Sequence, residues 1–220
     1  MAAIKRPRRN LYRCRRERGF SMIEVLISMA IMAFGLLGLV GMQAVAQKAE
    51  LDSYQRAQGL VLLADIVDRI NTNRGAGNCY NITTNTTSGT PYIGSTGTSS
   101  YNLSGFSCSG VGPSGSAAST AAVARALRDL TEINNMLKGA AEQLSGGQVG
   151  AMIGARACIG FDSTTNAYTV AVAWQGSGPT FSPAGWTNAP AVASKCALDL
   201  YGTDTQRRVV WNSIVLASLI

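Results

Sequence analysis

Gly19-Phe20-Ser21-Met22-Ile23-Glu24-Val25-Leu26-Ile27-Ser28-Met29-Ala30-Ile31-Met32-Ala33-Phe34-Gly35-Leu36-Leu37-Gly38-Leu39-Val40-Gly41-Met42 is the stretch on which the reading of this chain turns. From Val25 to Gln47 no residue is charged. At about 1.5 Å of rise per helical residue, roughly 20 such residues cross a hydrocarbon layer of about 30 Å. Directly before it stand Lys5, Arg6, Arg8, Arg9, Arg13, Arg15, Arg16 and Arg18, opposed by Glu17 alone. These residues account for the whole formal net charge of +7, and the remaining 201 residues are balanced. Positive flanks stay in the cytoplasm, so the segment is expected to enter the membrane with its N-terminus inside and residues 48–220 outside. The balanced body argues against a nucleic-acid-binding surface, which requires clustered positive charge.

Three fates suit such a segment. It can remain as an anchor. It can be a secretory signal, since Ala44-Val45-Ala46 is an A-x-A-like cleavage site that would release a soluble periplasmic binding domain. Or it can be cut ahead of the apolar run, which then survives. Glu24 separates these fates. A carboxylate in an apolar span costs roughly 2.5–3.5 kcal/mol at mid-membrane on insertion scales and less near the interface, and an anchor or ordinary signal has no use for it. Cutting between Gly19 and Phe20 creates an α-amino cation four residues away. In a packed array, the amine of one subunit can meet the carboxylate of the next and set the axial register.

Basic leader, Gly19-Phe20, Glu24 and apolar span together resemble the class III signal of type IV pilins and pseudopilins. The resemblance implies that a prepilin peptidase cuts after Gly19 and methylates Phe20, and that Glu24 is the assembly carboxylate. It divides the chain into a leader over 1–19, a membrane and filament-core helix over 20–47, and an exported head over 48–220. Gly35, Gly38 and Gly41 fall inside the span, where each costs about 1 kcal/mol relative to Ala and allows close helix approach. The helix-bending proline that major pilins often carry there is missing from this span.

Tyr54, Ala57, Val61, Ala64, Val67 and Ile70 extend the helical spacing beyond the span, and Asn71 to Gly77 ends it, giving a helix of about fifty residues or about 75 Å. Residues 75–120 are rich in Gly, Ser, Thr and Asn and read as a long loop with short strands. Sequons at Asn81, Asn85 and Asn102 are expected by chance in such a stretch. Residues 121–144 read as a second helix with Val123, Leu127, Leu130, Ile133 and Leu137 on its apolar face and Gly146-Gly147 as its stop. Ala157–Phe161 and Ala167–Trp174 form a hairpin around Asp162–Asn166, and Cys196–Leu200 and Arg208–Leu216 are expected strands. The fold class is therefore α+β and pilin-like: a long N-terminal helix, half of it packed against an antiparallel sheet, with an extra helix near 121–144.

Removing the leader removes Cys14 and leaves Cys79, Cys108, Cys158 and Cys196. An even count in an exported domain suggests two disulfides, with three pairings possible. The nearest-neighbour scheme, Cys79–Cys108 with Cys158–Cys196, is the expected one. Zinc is disfavoured because no C-x-x-C pair occurs. The chain has no histidine, which removes the commonest general base and metal ligand. Gly94–Gly97 lacks the lysine of a phosphate loop, and Asp199 with Asp204 are too few for calcium. No enzymatic activity, catalytic residue, metal or cofactor is expected.

Phe34-Gly35-Leu36-Leu37-Gly38-Leu39 and Ala64-Asp65-Ile66-Val67-Asp68-Arg69-Ile70 resemble the PilV group of minor pilins. This implies a structural subunit that initiates or modifies type IV pilus assembly, with twitching motility and adhesion as the processes served. The implied partners are other minor pilins, the major pilin, the prepilin peptidase and the inner-membrane platform. Before assembly the chain would lie in the bacterial inner membrane, and afterwards in the pilus at the cell surface. A minor pseudopilin of type II secretion is the alternative of the same kind.

Overall fold

A computed structural model describes residues 19–108, 119–140, 143–145, 147–148 and 152–217. The basic leader with Cys14, and Gly146 of the expected helix stop, lie outside these residues. The chain divides into two compact units, Met1–Gln47 and Lys48–Ile220.

Helix α1 runs over Met22–Thr72. Its part in the first unit buries no side chain, and every described residue from Gly19 to Gln47 is exposed. In the second unit its buried residues are Gly59, Leu63, Ile66 and Ile70. That corrects the expected stripe, in which only Ile70 is buried; Tyr54 and Val61 are 61% and 70% exposed. The helix is apolar on more than one side, so spacing alone does not select the packed face. The selection is made by a large side chain: a Cβ at position 59 would stand 2.9 Å from Trp174 Cζ3 and 3.4 Å from Val210 Cγ2, so glycine is what lets the helix approach the sheet here.

The sheet is antiparallel with strand order β1 (Ile93–Gly94), β4 (Arg156–Asp162), β5 (Ala167–Gln175), β6 (Arg207–Ile214), and a separate pair joins β2 (Gln143–Leu144) to β3 (Gly147–Gln148). In β5 the alternation of a strand places Val170, Val172 and Trp174 in the core with α1 and helix α2 (Thr120–Leu137), while Ala171 and Ala173 face a second core with Tyr92, Val192 and Cys196. Alanines on that face leave room for helix α3 (Ala191–Lys195).

Two expected elements are corrected. Helix α2 stops at Leu137 instead of 144. Gly139 N–H donates to Met136 O and Ala140 N–H to Asn135 O, and Gly139 has φ +75°, which together make a Schellman stop. The strand expected at Cys196–Leu200 is a turn, with Ala197 and Asp199 at φ +55° and +60°. The 75–120 stretch contains a 3₁₀ segment at Arg74–Tyr80, the short β1 and a second 3₁₀ turn at Leu103–Gly105 capped by the Asn102 side chain. Disulfides join Cys79 to Cys108 and Cys158 to Cys196.

Candidate functional site

At the N-terminus, Gly19 and Phe20 lie in exposed non-helical backbone just ahead of α1. The Ser21 carbonyl accepts from the N–H of Glu24 at 3.0 Å and of Val25 at 3.4 Å, and this starts the helix. Glu24 therefore stands in the first turn, where the helix dipole favours a negative charge. Ser28 Oγ donates to Glu24 O at 2.6 Å, so this hydroxyl is satisfied within the helix. Among the described residues the Glu24 carboxylate has no hydrogen-bond or ionic partner and remains available to one from outside. Beyond it, Leu26, Met29, Phe34, Leu37 and Met42 are each more than 60% exposed. A span in this helix is long and apolar enough to cross a membrane, and none of it is buried by the described residues. Exposed apolar surface of this extent requires a covering phase or partner. A Cβ added at Gly35, Gly38 or Gly41 would meet nothing within 4 Å. Ala44-Val45-Ala46 lies inside α1, also exposed.

Residues 14–40 match the family described as the prokaryotic N-terminal methylation motif. In this segment the chain is type IV pilin-like. Comparison with curated proteins and with solved structures finds no match. The motif implies processing by a prepilin peptidase and association with a membrane. The long N-terminal helix with an antiparallel sheet and further helices is a pilin-like α+β layout.

The second unit contains two polar clusters, among the described residues, that hold its loops in place. In the first, Arg69 on α1 donates to Asp65 Oδ2 at 2.8 Å, to Glu132 Oε2 at 2.6 Å and to Asp129 Oδ1 at 3.3 Å. The Tyr80 hydroxyl donates to the other Asp129 oxygen and accepts from Asn73 Nδ2 at 3.0 Å. Burial and then the hydrogen bond to Asp129 push the Tyr80 hydroxyl well above its ordinary pKa. Burial works against the Arg69 charge, but Asp65 and Glu132 outweigh it and raise its pKa. The Asp65–Arg69 segment is thus the clasp between α1 and α2. Asp129 is buried within this cluster.

The second cluster surrounds Arg207, whose side chain is fully buried. It donates to Asp204 Oδ1 at 2.6 Å, Cys196 O at 2.8 Å and Ser194 O at 2.8 Å. Asp204 also accepts from the Ser182 hydroxyl and from Ala184 N–H at 3.1 Å. Burial alone would raise the Asp204 pKa, but the bonds from Arg207 and Ser182 prevail and lower it. This one acid therefore connects the 182–184 turn to the start of β6, and Arg207 holds the turn after α3. Nothing in the local pattern marked Arg207, since a basic residue at a strand's start normally faces water.

Asp199 does not join Asp204 in this cluster, and among the described residues no group of three or more Cys, Asp or Glu gathers as metal ligands. Arg156 lies between the rings of Tyr92 and Tyr201, 5.2 and 5.1 Å from their centroids. Tyr201 donates to Gly154 O at 2.8 Å, and burial pushes its hydroxyl pKa up to about 12. Asn81, Asn85 and Asn102, the sequon residues, each accept backbone N–H bonds that fold the loops around them.

Proposed function

We propose that the chain is a minor pilin, a structural subunit inserted in the inner membrane as a precursor, cut after Gly19, methylated on Phe20 and then packed by its apolar helix into a type IV pilus. The carrying observation is the match to the N-terminal methylation motif over 14–40, set on a helix whose apolar side chains up to Gln47 have no cover among the described residues. Cleavage in non-helical backbone leaves an ammonium close to the unpartnered Glu24 carboxylate, and in the filament that carboxylate receives the amine of a neighbouring subunit. The same four-residue offset supports an axial register instead of loose hydrophobic association. The resemblance of Ala64–Ile70 to the PilV group supports placing the chain among minor pilins, and in this segment Arg69, held by Asp65, ties an additional helix to the head. In this reading the head is a structural body without catalytic chemistry, and its neighbours are the other minor pilins, the major pilin and the assembly platform.

Intact mass and N-terminal sequencing of the protein from its native host tests the reading. A chain beginning with methylated Phe20 is expected, whereas one beginning at Gln47 would make it a soluble exported domain. Deleting the gene and scoring surface pili against secreted enzymes tests the choice of filament. Lost secretion with intact pili would assign the chain to a type II secretion pseudopilus instead.

A further inference from the structure

The two edges of the sheet are finished differently. At one, β1 has two residues, the Gly94 N–H is taken by Asn134 Oδ1 at 3.1 Å, and residues 99–101 bond to both main-chain groups of Tyr92. At the other, β6 is eight residues long, and among the described residues no main-chain group of Arg208–Ile214 has a main-chain partner other than β5. Alternate N–H and C=O groups of an edge strand point away from its neighbour, and proteins normally shorten, cover or interrupt such a row. Among the described residues this row is not covered. Residues of β6 line a cleft of about 660 Å³ together with Asp52, Arg56 and Leu60 of α1, Trp174 of β5 and the Thr180–Trp186 segment. Phe181, Trp186 and Trp211 also line an adjoining pocket of about 450 Å³. Phe181 is 70% exposed and Trp211 38%.

An open strand edge beside a helix wall, with an aromatic pocket along it, has the parts of strand addition: main-chain bonds supply affinity and pockets for alternate side chains supply specificity. The polar wall also has a sign. Asp52 is occupied by Ser177 N–H at 3.1 Å and by Arg208 at 3.8 Å, whereas Arg56 is exposed and unpaired among the described residues. We propose that the free edge of β6 receives an extended segment of a partner protein, which adds a strand beside β6. That segment places an apolar or aromatic side chain in the Phe181–Trp186–Trp211 pocket and an acidic side chain at Arg56. The occupant is a peptide because a row of unpaired amides and carbonyls is complemented by another extended main chain, which a saccharide cannot supply.

The test uses the full chain in detergent micelles, panned against displayed random short peptides, with affinities then measured on synthetic copies. Binders with apolar residues at alternate positions and an acid at one end are expected. Methylating alternate backbone amides of such a peptide is expected to weaken binding by about tenfold or more in one phase of the alternation and little in the other. Val209→Pro and Val210→Pro separate fold from edge, since one removes an N–H facing β5 and the other an N–H on the free edge. The variant that keeps the parental melting temperature is expected to lose peptide binding, as is Phe181→Ala. Failure to select any peptide, equal tolerance of methylation in both phases, or full binding by the well-folded proline variant would overturn the proposal. So would concentration-dependent self-association abolished by that variant, which would make a second copy the occupant. None of these outcomes depends on processing at Gly19, so this proposal and the pilin reading can fail separately.

Discussion

Gly38 and Gly59 belong to one helix, yet they answer to different constraints. At Gly38 an added Cβ meets empty space; at Gly59 it would press on the Trp174 ring at 2.9 Å. The first unit's part of α1 has apolar side chains without cover among the described residues, whereas the second unit's part is chosen residue by residue by the sheet it packs on. The difference teaches that similar local composition can serve two ends. One region is specified for contacts between molecules or with lipid, and the other for contacts within the molecule.

The sharpest break between the two regions is expected from Glu24→Ala. It should leave cleavage, methylation and the head's melting temperature unchanged while nearly abolishing incorporation into sheared filaments, scored by fractionation. Normal incorporation would remove the assembly role proposed for Glu24. Next in size, Asp204→Ala leaves the fully buried Arg207 without its carboxylate and is expected to destabilise the head by about 3–5 kcal/mol in chemical denaturation, with incorporation lost only as a consequence of unfolding.

The same pair carries a pH signature. Because the Asp204 pKa is lowered on folding, its contribution is fully present above the unfolded carboxylate value of about 3.9 and is lost as pH falls through the lower folded value. Acid titration of stability should lose that component in Asp204→Asn. An unchanged acid slope in that variant would mean that Asp204 does not carry it.

Gly59→Ala is expected to cost about 1–3 kcal/mol by overpacking, lowering the head's melting temperature by several degrees. The smallest expected effect is Gly38→Ala: no change in the head, and up to about 1 kcal/mol in favour of the helix. Equal effects from the two glycine substitutions on the head would dissolve the comparison.

Reading the chain linearly worked where the controlling information is close by in sequence. The stop of α1 at Thr72 and the β4–β5 hairpin around its polar turn were legible from spacing and turn residues. It failed where a distant group decides. Cys-Ala-Leu-Asp-Leu at 196–200 has the composition of a strand, but the Arg207 guanidinium takes the carbonyls of Ser194 and Cys196, and those acceptors are then unavailable to a ladder. Helix α2 ends short of the expected Leu144 because Gly139 takes φ +75°, and Lys138-Gly139 is the local sign of that stop. Nothing local marks Asp129 as buried, because its partners Tyr80 and Arg69 lie 49 and 60 residues away.

By itself the sequence determined the charged N-terminal segment, the uncharged span, the Gly-Phe and Glu24 arrangement, and the α+β class. These rest on charge, hydropathy and periodicity, which act over a few residues or against a uniform solvent. Only the tertiary structure decided which face of α1 is buried, which acid neutralises Arg207, how the cysteines pair, and which sheet edge stays open. Each of those depends on a close approach between groups far apart along the chain. Such an approach exists only after the whole core has packed.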